Sequence, residues 1–177
     1  MRATGIVRRI DELGRVVIPK EIRRTQRIHS GDALEIFTDG KGEVVFKKYS
    51  PLAELGEPAA AYADVLARRL GCGVAVCDRE KIVAAAGAGR SELLGEPLPL
   101  ELDALLARRK LYTAPEEPLH RVALGSRWLL CAAPVLVHGD IEGGVLLPGM
   151  RRDAVPDPET IRAAATAAEF LARWMGE

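Results

Sequence analysis

The sequence predicts an α+β protein built from two domains, each with antiparallel strands. The chain has 177 residues, of which 48% are apolar, enough for one core or for two small ones. Along residues 1–50, short runs of β-branched residues alternate with turn residues. Beyond Ser50-Pro51, which breaks the last of these runs, helical periodicity frames a second set of strands. We therefore assign residues 1–50 and 51–177 to separate domains.

The first domain is predicted to contain four strands and one short helix, in the order β-β-α-β-β. The runs "TGIVRRI" (4–10) and "GRVVIP" (14–19) predict the first two strands. Pro19 suits the first position of a helix, "PKEIRRTQRI", because the N–H that proline lacks would have no partner there. The runs "ALEIFTD" and "EVVFKKY", separated by the turn residues "GKG", predict a hairpin over 33–49.

The first domain carries more apolar side chains than so short a chain can cover. Fifty residues of this kind rarely bury enough surface to be stable alone. A second layer is needed for Ile6, Val7, Ile10, Val16, Val17, Ile18, Ile22, Leu34, Ile36, Val44 and Phe46. Because another copy of the chain supplies that layer most simply, we expect residues 1–50 to form a homodimer.

The second domain is predicted to place helices at both ends of a central antiparallel sheet. A helix is expected over 52–70, with Gly71 as its stop signal. Asp157 resembles an N-cap, followed by Pro158 at the first position of the last helix. The elements expected in order after Gly71 are a hairpin around Arg79-Glu80, a mixed helical stretch over 90–110, a loop over 111–119, the strands "HRVAL", "RWLLCAAPVLVHGD" and "EGGVLLPG", and a helix from Pro156 to Met175.

Both terminal helices of this domain carry a narrow apolar stripe. The stripes are Leu52, Leu55, Ala59, Tyr62 and Leu66 in the first helix, and Ile161, Ala164, Ala168, Leu171 and Met175 in the last. Such spacing is typical of a seam between two helices, although the alanines would also suit ordinary packing on a sheet. We expect these helices to lie side by side and to join two dimers into a homotetramer.

The net charge of zero conceals a basic first domain and an acidic second one. Residues 1–50 hold 11 Lys and Arg against 7 Asp and Glu, whereas residues 51–177 hold 14 against 18. Within residues 1–29 the balance is 8 against 3. This asymmetry favours a nucleic-acid-binding module joined to a domain with another task.

The residue content argues against catalysis, a metal, a cofactor or a membrane. Cys72, Cys77 and Cys131 are odd in number and lie among apolar neighbours, so buried thiols are expected in place of a disulfide or zinc site. The three histidines suggest no catalytic triad, and no phosphate-binding loop or dinucleotide fingerprint occurs. No apolar run could span a membrane or serve as a signal peptide, so we expect a cytoplasmic protein.

The segment "TGIVRRIDELGRVVIPKEIRRTQRIHSGDALEIF" closely resembles the AbrB-type DNA-binding domain of bacterial transition-state regulators. The resemblance implies a swapped-hairpin barrel, in which two chains interleave to form one dimer. The remainder, 51–177, is similar to a GAF-like domain, and a domain of that type can bind a small molecule or act only in oligomerisation. Together they resemble two-domain sporulation regulators, which implies a DNA-binding transcriptional regulator of sporulation genes in an endospore-forming bacterium, associated with its nucleoid.

The resemblance places the DNA-contacting residues at Arg8, Arg15, Arg23 and Arg24. Arginine suits this task because its planar, permanently charged fork can bind phosphate through two hydrogen bonds. No helix rich in Asn, Gln and Arg suggests a strict base code, so we expect double-stranded DNA to be bound through its backbone and shape. The family similarly tends to favour deformable, AT-rich sites.

One residue departs from the family pattern, and two other functions stay open. Gln26 stands where the family usually has leucine, four residues after Ile22 on the helix face expected to pack inward.

Domains of the AbrB type also occur in antitoxins that bind a toxin partner, but residues 51–177 have the pattern of a folded domain instead of a disordered tail. An enzyme with a basic accessory segment is the other alternative, and no nucleophile–base pair supports it. The run "AAAGAG" (84–89) suits either a ligand near the backbone or tight packing.

Overall fold

A computed structural model describes residues 4–114 and 122–176. The chain divides into two compact units, Met1–Tyr49 and Ser50–Glu177. Residues 115–121 lie outside the described residues. They include the latter part of the loop predicted over 111–119 and the start of the strand predicted from His120.

The first unit contains one short helix and one hairpin. Helix α1 spans Lys20–Thr25, and strands β1, Leu34–Thr38, and β2, Val44–Lys48, pair in antiparallel register. The hairpin turn is held by Asp39, whose Oδ1 accepts hydrogen bonds from the backbone N–H groups of Lys41 at 3.1 Å and Glu43 at 2.7 Å. The prediction of this hairpin is therefore confirmed, and its turn follows from an aspartate that binds the backbone two and four residues on.

The two strands predicted over 4–10 and 14–19 are wrong for the single chain. The structure assigns no strand between residues 4 and 19. A strand is defined by the ladder it forms, and these residues form none with each other or with β1 and β2. Their β-branched composition favours strands, but no described strand of the same chain pairs with their backbone groups.

The helix of the first unit is shorter than predicted, which corrects two positions. Pro19 has an extended ψ of 149° and precedes the first helical residue instead of occupying that position. The helix ends at Thr25, so Gln26 is its C-cap, and its side chain is exposed in the single chain. Its backbone N–H still donates to the Ile22 carbonyl oxygen at 2.8 Å, so Gln26 lies one helical turn after Ile22.

The first unit has almost no core within one chain. Among its described residues, Pro19 alone is fully buried. Large apolar side chains are instead open to solvent: Val7 is 83% exposed, Ile10 72% and Val17 72%. The hairpin is similar, since Ile36 is 61% exposed. The structure therefore leaves uncovered most of the residues for which the sequence predicted a second layer, and Ile18, Ile22 and Leu34 are half-buried.

The second unit is built around an antiparallel sheet. Its strands are β3 (Val74–Cys77), β4 (Ile82–Ala86), β5 (Tyr112–Thr113), β6 (Ala123–Leu124), β7 (Arg127–Val137) and β8 (Asp140–Gly149). They lie in the order β4-β3-β8-β7-β5, and β6 also pairs with β7. The long β7–β8 hairpin turns at His138 and Gly139, both with positive φ, where the sequence predicted a turn.

Five helices accompany this sheet, in the order predicted but with different bounds. They are α2 (Pro51–Glu54), α3 (Gly56–Leu70), α4 (Arg90–Leu93), α5 (Leu100–Leu106) and α6 (Pro158–Gly176). The helix predicted over 52–70 is interrupted at Leu55, because Pro58 has no N–H to donate to the carbonyl of Glu54. The N-cap prediction is confirmed, since Asp157 Oδ1 accepts a hydrogen bond from Thr160 N at 2.8 Å.

The sheet is covered on both faces, so the unit has two cores. One contains Leu52, Ala63, Val76, Cys131 and Leu171 beneath α2, α3 and α6. The other contains Cys77, Leu93, Leu98, Leu102 and Leu129 beneath α4 and α5. Neighbouring residues of β3 alternate between the two cores, as side chains on a strand do. This unit can bury a core without help from another chain.

The apolar stripes predicted as a seam between two helices lie mainly against the sheet, although α3 and α6 do lie side by side as predicted. Ala59, Leu66 and Leu171 are at least nine-tenths buried in the core beneath α3 and α6. The small alanine side chains let the helices approach the sheet closely. These positions therefore pack on the sheet and do not form a seam between two helices. Tyr62 of the first stripe also contacts the other helix: its ring stacks on Phe170 at 4.7 Å, and Phe170 meets Trp174 edge-on at 5.4 Å.

We expect Leu171→Ala to lower the free energy of unfolding by about 2–5 kcal/mol, because it leaves a cavity between α6 and the sheet. Leu100 is 67% exposed, so Leu100→Ala, the matched control, should change stability by no more than about 0.5 kcal/mol. Urea unfolding at one protein concentration, followed by tryptophan fluorescence, measures both. Equal losses in the two variants would contradict the packing described for α6.

Candidate nucleic-acid interface

The four arginines predicted to contact DNA are all exposed. Arg8 and Arg15 lie in the segment before α1, and Arg23 and Arg24 share the last turn of that helix. The single chain thus brings Arg23 and Arg24 together, whereas Arg8 and Arg15 occupy separate positions along 4–19. Because they are exposed, these guanidinium groups can bind phosphate without first breaking a buried contact.

The position of Arg15 is fixed by a tight turn around Asp11. Asp11 Oδ1 accepts hydrogen bonds from the backbone N–H groups of Leu13 at 3.0 Å and Arg15 at 2.7 Å, and Gly14 takes the left-handed φ of 75° that closes the turn. Asp11 Oδ2 also accepts from Arg15 Nε at 3.0 Å. Because Arg15 remains 70% exposed, the turn orients its guanidinium group while leaving it accessible.

The same hydrogen bonds lower the pKa of Asp11. The backbone N–H of Arg15 has the largest effect, the Arg15 side chain and the Leu13 N–H act in the same direction, and partial desolvation opposes them. Asp11 was not among the residues selected from the sequence. The signal that could have identified it is "DELG", in which an aspartate precedes a glycine by three residues, a pattern typical of a turn.

The helix α1 displays Arg23 and Arg24 in different directions. Consecutive helical residues are about 100° apart, so the two side chains cannot project from one line. Ile22 is half-buried, which places Arg24 on the side farthest from the packed face and Arg23 at its flank. Both lie in the last turn, where a cation is favourable beside the carbonyl ends of the helix.

The contact that Arg8 makes among the described residues is local. Its Nη1 donates to the carbonyl oxygen of Val7 at 3.0 Å. No strand is assigned to this part of the described chain, so the direction in which Arg8 projects is not fixed by a sheet. The DNA-contacting role of all four arginines stays a prediction.

The cysteines lack the features of reactive thiols. Cys77 and Cys131 are fully buried, and burial raises the pKa of Cys131 to about 12 and that of Cys77 still further. Burial also raises the pKa of Cys72. Within residues 4–114 and 122–176, no three His, Cys, Asp or Glu side chains are grouped to hold a metal ion. None of the helices described there is long and apolar enough to cross a membrane.

Residues 54–176 match the family described as "Stage V sporulation protein T C-terminal, transcription factor". The chain belongs to this family. Residues 7–53 match a second family, "Antidote-toxin recognition MazE, bacterial antitoxin". Stage V sporulation protein T of Bacillus subtilis is 41% identical over 186 residues, which cover 99% of each chain. The predicted membership in a family of sporulation transcription regulators is thereby confirmed.

Two solved structures relate to the separate parts of this stage V sporulation protein T family member. The N-terminal DNA recognition domain of the Bacillus subtilis regulator AbrB is 59% identical, covering 29% of this chain and 94% of that chain, with a TM-score of 0.26. Its sequence, not its superposition, relates it to the first unit. A type II free methionine-R-sulfoxide reductase from Thermoplasma acidophilum superposes with a TM-score of 0.54 at 15% identity, covering 70% of this chain and 94% of that chain. The second likeness shows a shared fold alone.

We expect the pKa of Asp11 to stay below its ordinary value in Arg15→Gln, because the backbone N–H of residue 15 remains as the main donor. A lowered pKa in the folded state means that Asp11 contributes stability above its unfolded pKa of about 3.9, and that this contribution is lost as the pH falls through the folded pKa. Carboxyl-carbon NMR titration of wild type and variant measures the shift. A return to the ordinary value in the variant would show that the side-chain ion pair dominates.

Proposed function

We propose that the protein regulates sporulation genes by binding double-stranded DNA through Arg8, Arg15, Arg23 and Arg24, displayed twice on a dimer of residues 1–50. The observation that carries this proposal is a basic, solvent-exposed set of arginines in a segment 59% identical to a DNA recognition domain. In this account the protein works in the cytoplasm at the nucleoid, and residues 51–177 form a GAF-like domain that assembles the oligomer and responds to a small molecule.

The dimer is required by the apolar surface of the first unit. Val7, Ile10 and Val17 are more than 70% exposed in the single chain, and residues 4–19 have no strand partner among its described residues. Interleaving two chains meets both needs, since each copy supplies the other with ladder partners and with an apolar layer. We therefore place the swapped-hairpin barrel in the dimer, where the strands predicted over 4–10 and 14–19 would form.

The mode of DNA binding follows from the kind of side chain displayed. Arginines on a turn and a short helix end are suited to phosphates and to a narrowed groove, whereas α1 has too few residues to read a run of bases. Eight arginines per dimer give strong electrostatic attraction and little base discrimination. This is the basis for expecting a sequence-tolerant regulator that prefers deformable DNA.

The tetramer is proposed to form through the outer face of α3 and α6. Val65 is 58% exposed, Phe170 39% and Trp174 51%, and Tyr62 stacks on Phe170 beside them. Aromatic residues of this kind are enriched in protein interfaces, where their large surfaces contribute most of the binding energy. The proposal of a homotetramer is therefore kept, but its contact shifts to this aromatic face, in which Tyr62 comes from a predicted stripe and Phe170 and Trp174 do not.

An antitoxin is the second candidate, and the match of residues 7–53 to the MazE family favours it. The chain after this match is a folded unit with two cores and not an extended toxin-binding segment. We therefore rank transcriptional regulation first. Copurification of a toxin in stoichiometric amount from the native cell would reverse that order.

We expect DNA affinity to fall with salt along a log–log slope of up to about −7, because eight neutralised phosphates contribute about 0.9 each. Each Arg→Ala change at the four positions removes two contacts per dimer and should make the slope shallower by about 2. Arg108→Ala, a change at an exposed arginine of the second unit, serves as the control and should leave the slope unchanged. Fluorescence anisotropy against salt measures all five variants. A slope near zero, or one that none of the four changes alters, would overturn the assignment.

We expect the full-length protein to sediment as four chains at micromolar concentration and the Phe170→Glu, Trp174→Glu double variant as two. Buried carboxylates without partners would oppose the association of the aromatic faces. Leu100→Glu, at an exposed leucine on the other side of the sheet, should remain a tetramer. A wild-type mass of two chains would contradict the proposed tetramer, while a tetramer in the double variant would place the contact elsewhere.

A further inference from the structure

Hydrogen bonds hold the residues on both sides of the point where the chain passes from the first unit to the second. Tyr49, the last residue of the first unit, donates its backbone N–H to the carbonyl oxygen of Ala33 at 3.0 Å. Ser50, the first residue of the second unit, donates from its Oγ to Asp78 Oδ2 at 3.1 Å. The same Oγ accepts from the N–H of Ala53 at 3.2 Å. The junction is therefore one peptide bond between two residues that are each held within their own unit.

Ser50 also has little backbone freedom of its own. It precedes Pro51, whose ring disfavours the helical region for the residue before it. The φ of −127° and ψ of 98° at Ser50 lie in the extended region that remains. Pro51 begins α2, and Leu52 after it is completely buried. Because the peptide bond is planar, the ψ of Tyr49 is the main dihedral angle that can absorb a change of direction at the junction.

Asp78 fixes the side chain of Ser50 to the turn between β3 and β4. Asp78 is only 3% exposed, and its Oδ1 accepts hydrogen bonds from the backbone N–H groups of Glu80 and Lys81, both at 2.7 Å. These bonds are charge-assisted and hold the carboxylate to the backbone of the turn. Since Ser50 binds the other oxygen of the same carboxylate, its position follows the position of the turn.

The same turn is joined to α5 on its other side. Arg79 donates to Asp103 Oδ1 from Nη2 at 3.2 Å and from Nε at 3.3 Å, and both side chains are more than three-quarters buried. The backbone N–H of Leu98, just before α5, donates to the carbonyl oxygen of Glu80 at 2.7 Å. Polar contacts therefore run without a break from α5 through the turn to Ser50.

We propose that Asp78 couples the DNA-binding unit to the second unit, because its bond to Ser50 makes the backbone at the junction follow the β3–β4 turn and α5. Asp78 is a positioning residue in this role, since it acts through Ser50 and not through a contact with DNA. The proposal rests on the proposed function, and it names the route by which a change in the second unit reaches the arginines. A flexible junction would let the second unit change without moving the first.

Four variants of the full-length protein separate this coupling from a contribution to stability alone. Ser50→Ala removes the hydroxyl group that binds Asp78, whereas Ser50→Thr keeps a hydroxyl group and remains a good N-cap. Ser126→Ala is the matched control, because it removes a serine hydroxyl group that binds Glu92 elsewhere in the second unit. Insertion of Gly-Ser-Gly between Tyr49 and Ser50 supplies the flexible reference, since such residues form flexible linkers. Ser50 belongs to neither core, so Ser50→Ala should retain the fold.

TROSY-detected amide nitrogen relaxation measures the rotational correlation time of each unit in these proteins. We expect both units to share one correlation time in wild type, Ser50→Thr and Ser126→Ala. In Ser50→Ala the first unit should reorient faster than the second, as in the insertion variant, while the second unit keeps its wild-type value. Independent reorientation in wild type would overturn the proposal. So would Ser50→Ala with a lower melting temperature and unchanged correlation times, since that result shows a structural role alone. Failure of the DNA-binding proposal would appear in the anisotropy measurements and would leave these relaxation measurements unaffected.

Discussion

The constraint on which the rest of the protein depends is that its first unit cannot cover its own apolar residues. Fully burying one Val or Ile side chain contributes roughly 1.5–3 kcal/mol, and a small domain has a net stability of about 5–15 kcal/mol. Leaving Val7, Ile10 and Val17 in solvent therefore gives up an amount comparable to the whole stability of the unit. In our account the dimer is the folded state of this unit, and the doubled display of arginines is a consequence of folding.

The second unit, in contrast, buries its core within one chain, so the two units depend on other chains to different degrees. Its sheet has a core on each face, so folding requires no partner, and the apolar residues that remain exposed can serve association alone. In our account, assembly through α3 and α6 can thus change without unfolding the domain. A small molecule bound to this unit would act on a stable scaffold, and it could influence DNA binding only by favouring one of two arrangements.

Sequence reasoning succeeded where local chemistry decides structure and failed where distant packing decides it. The 33–49 hairpin, the turn between β7 and β8 and the Asp157 cap were predictable, because turn residues and a capping aspartate act on their nearest neighbours. The stripe containing Leu171 was misassigned, since spacing alone cannot tell a sheet from a second helix. At the candidate interface, the four arginines were predicted from a motif, whereas Asp11 was found only from its contacts.

The central claim is that residues 4–19 of one chain complete the first unit of another. Isotope-filtered NOE spectra of full-length protein, mixed from methyl-labelled and unlabelled chains, test it most directly. The account predicts contacts between the methyl groups of Val7 or Val17 in one protomer and protons of the β1–β2 hairpin in its partner. Methyl contacts confined to a single chain, with Val17 still open to solvent, would contradict it.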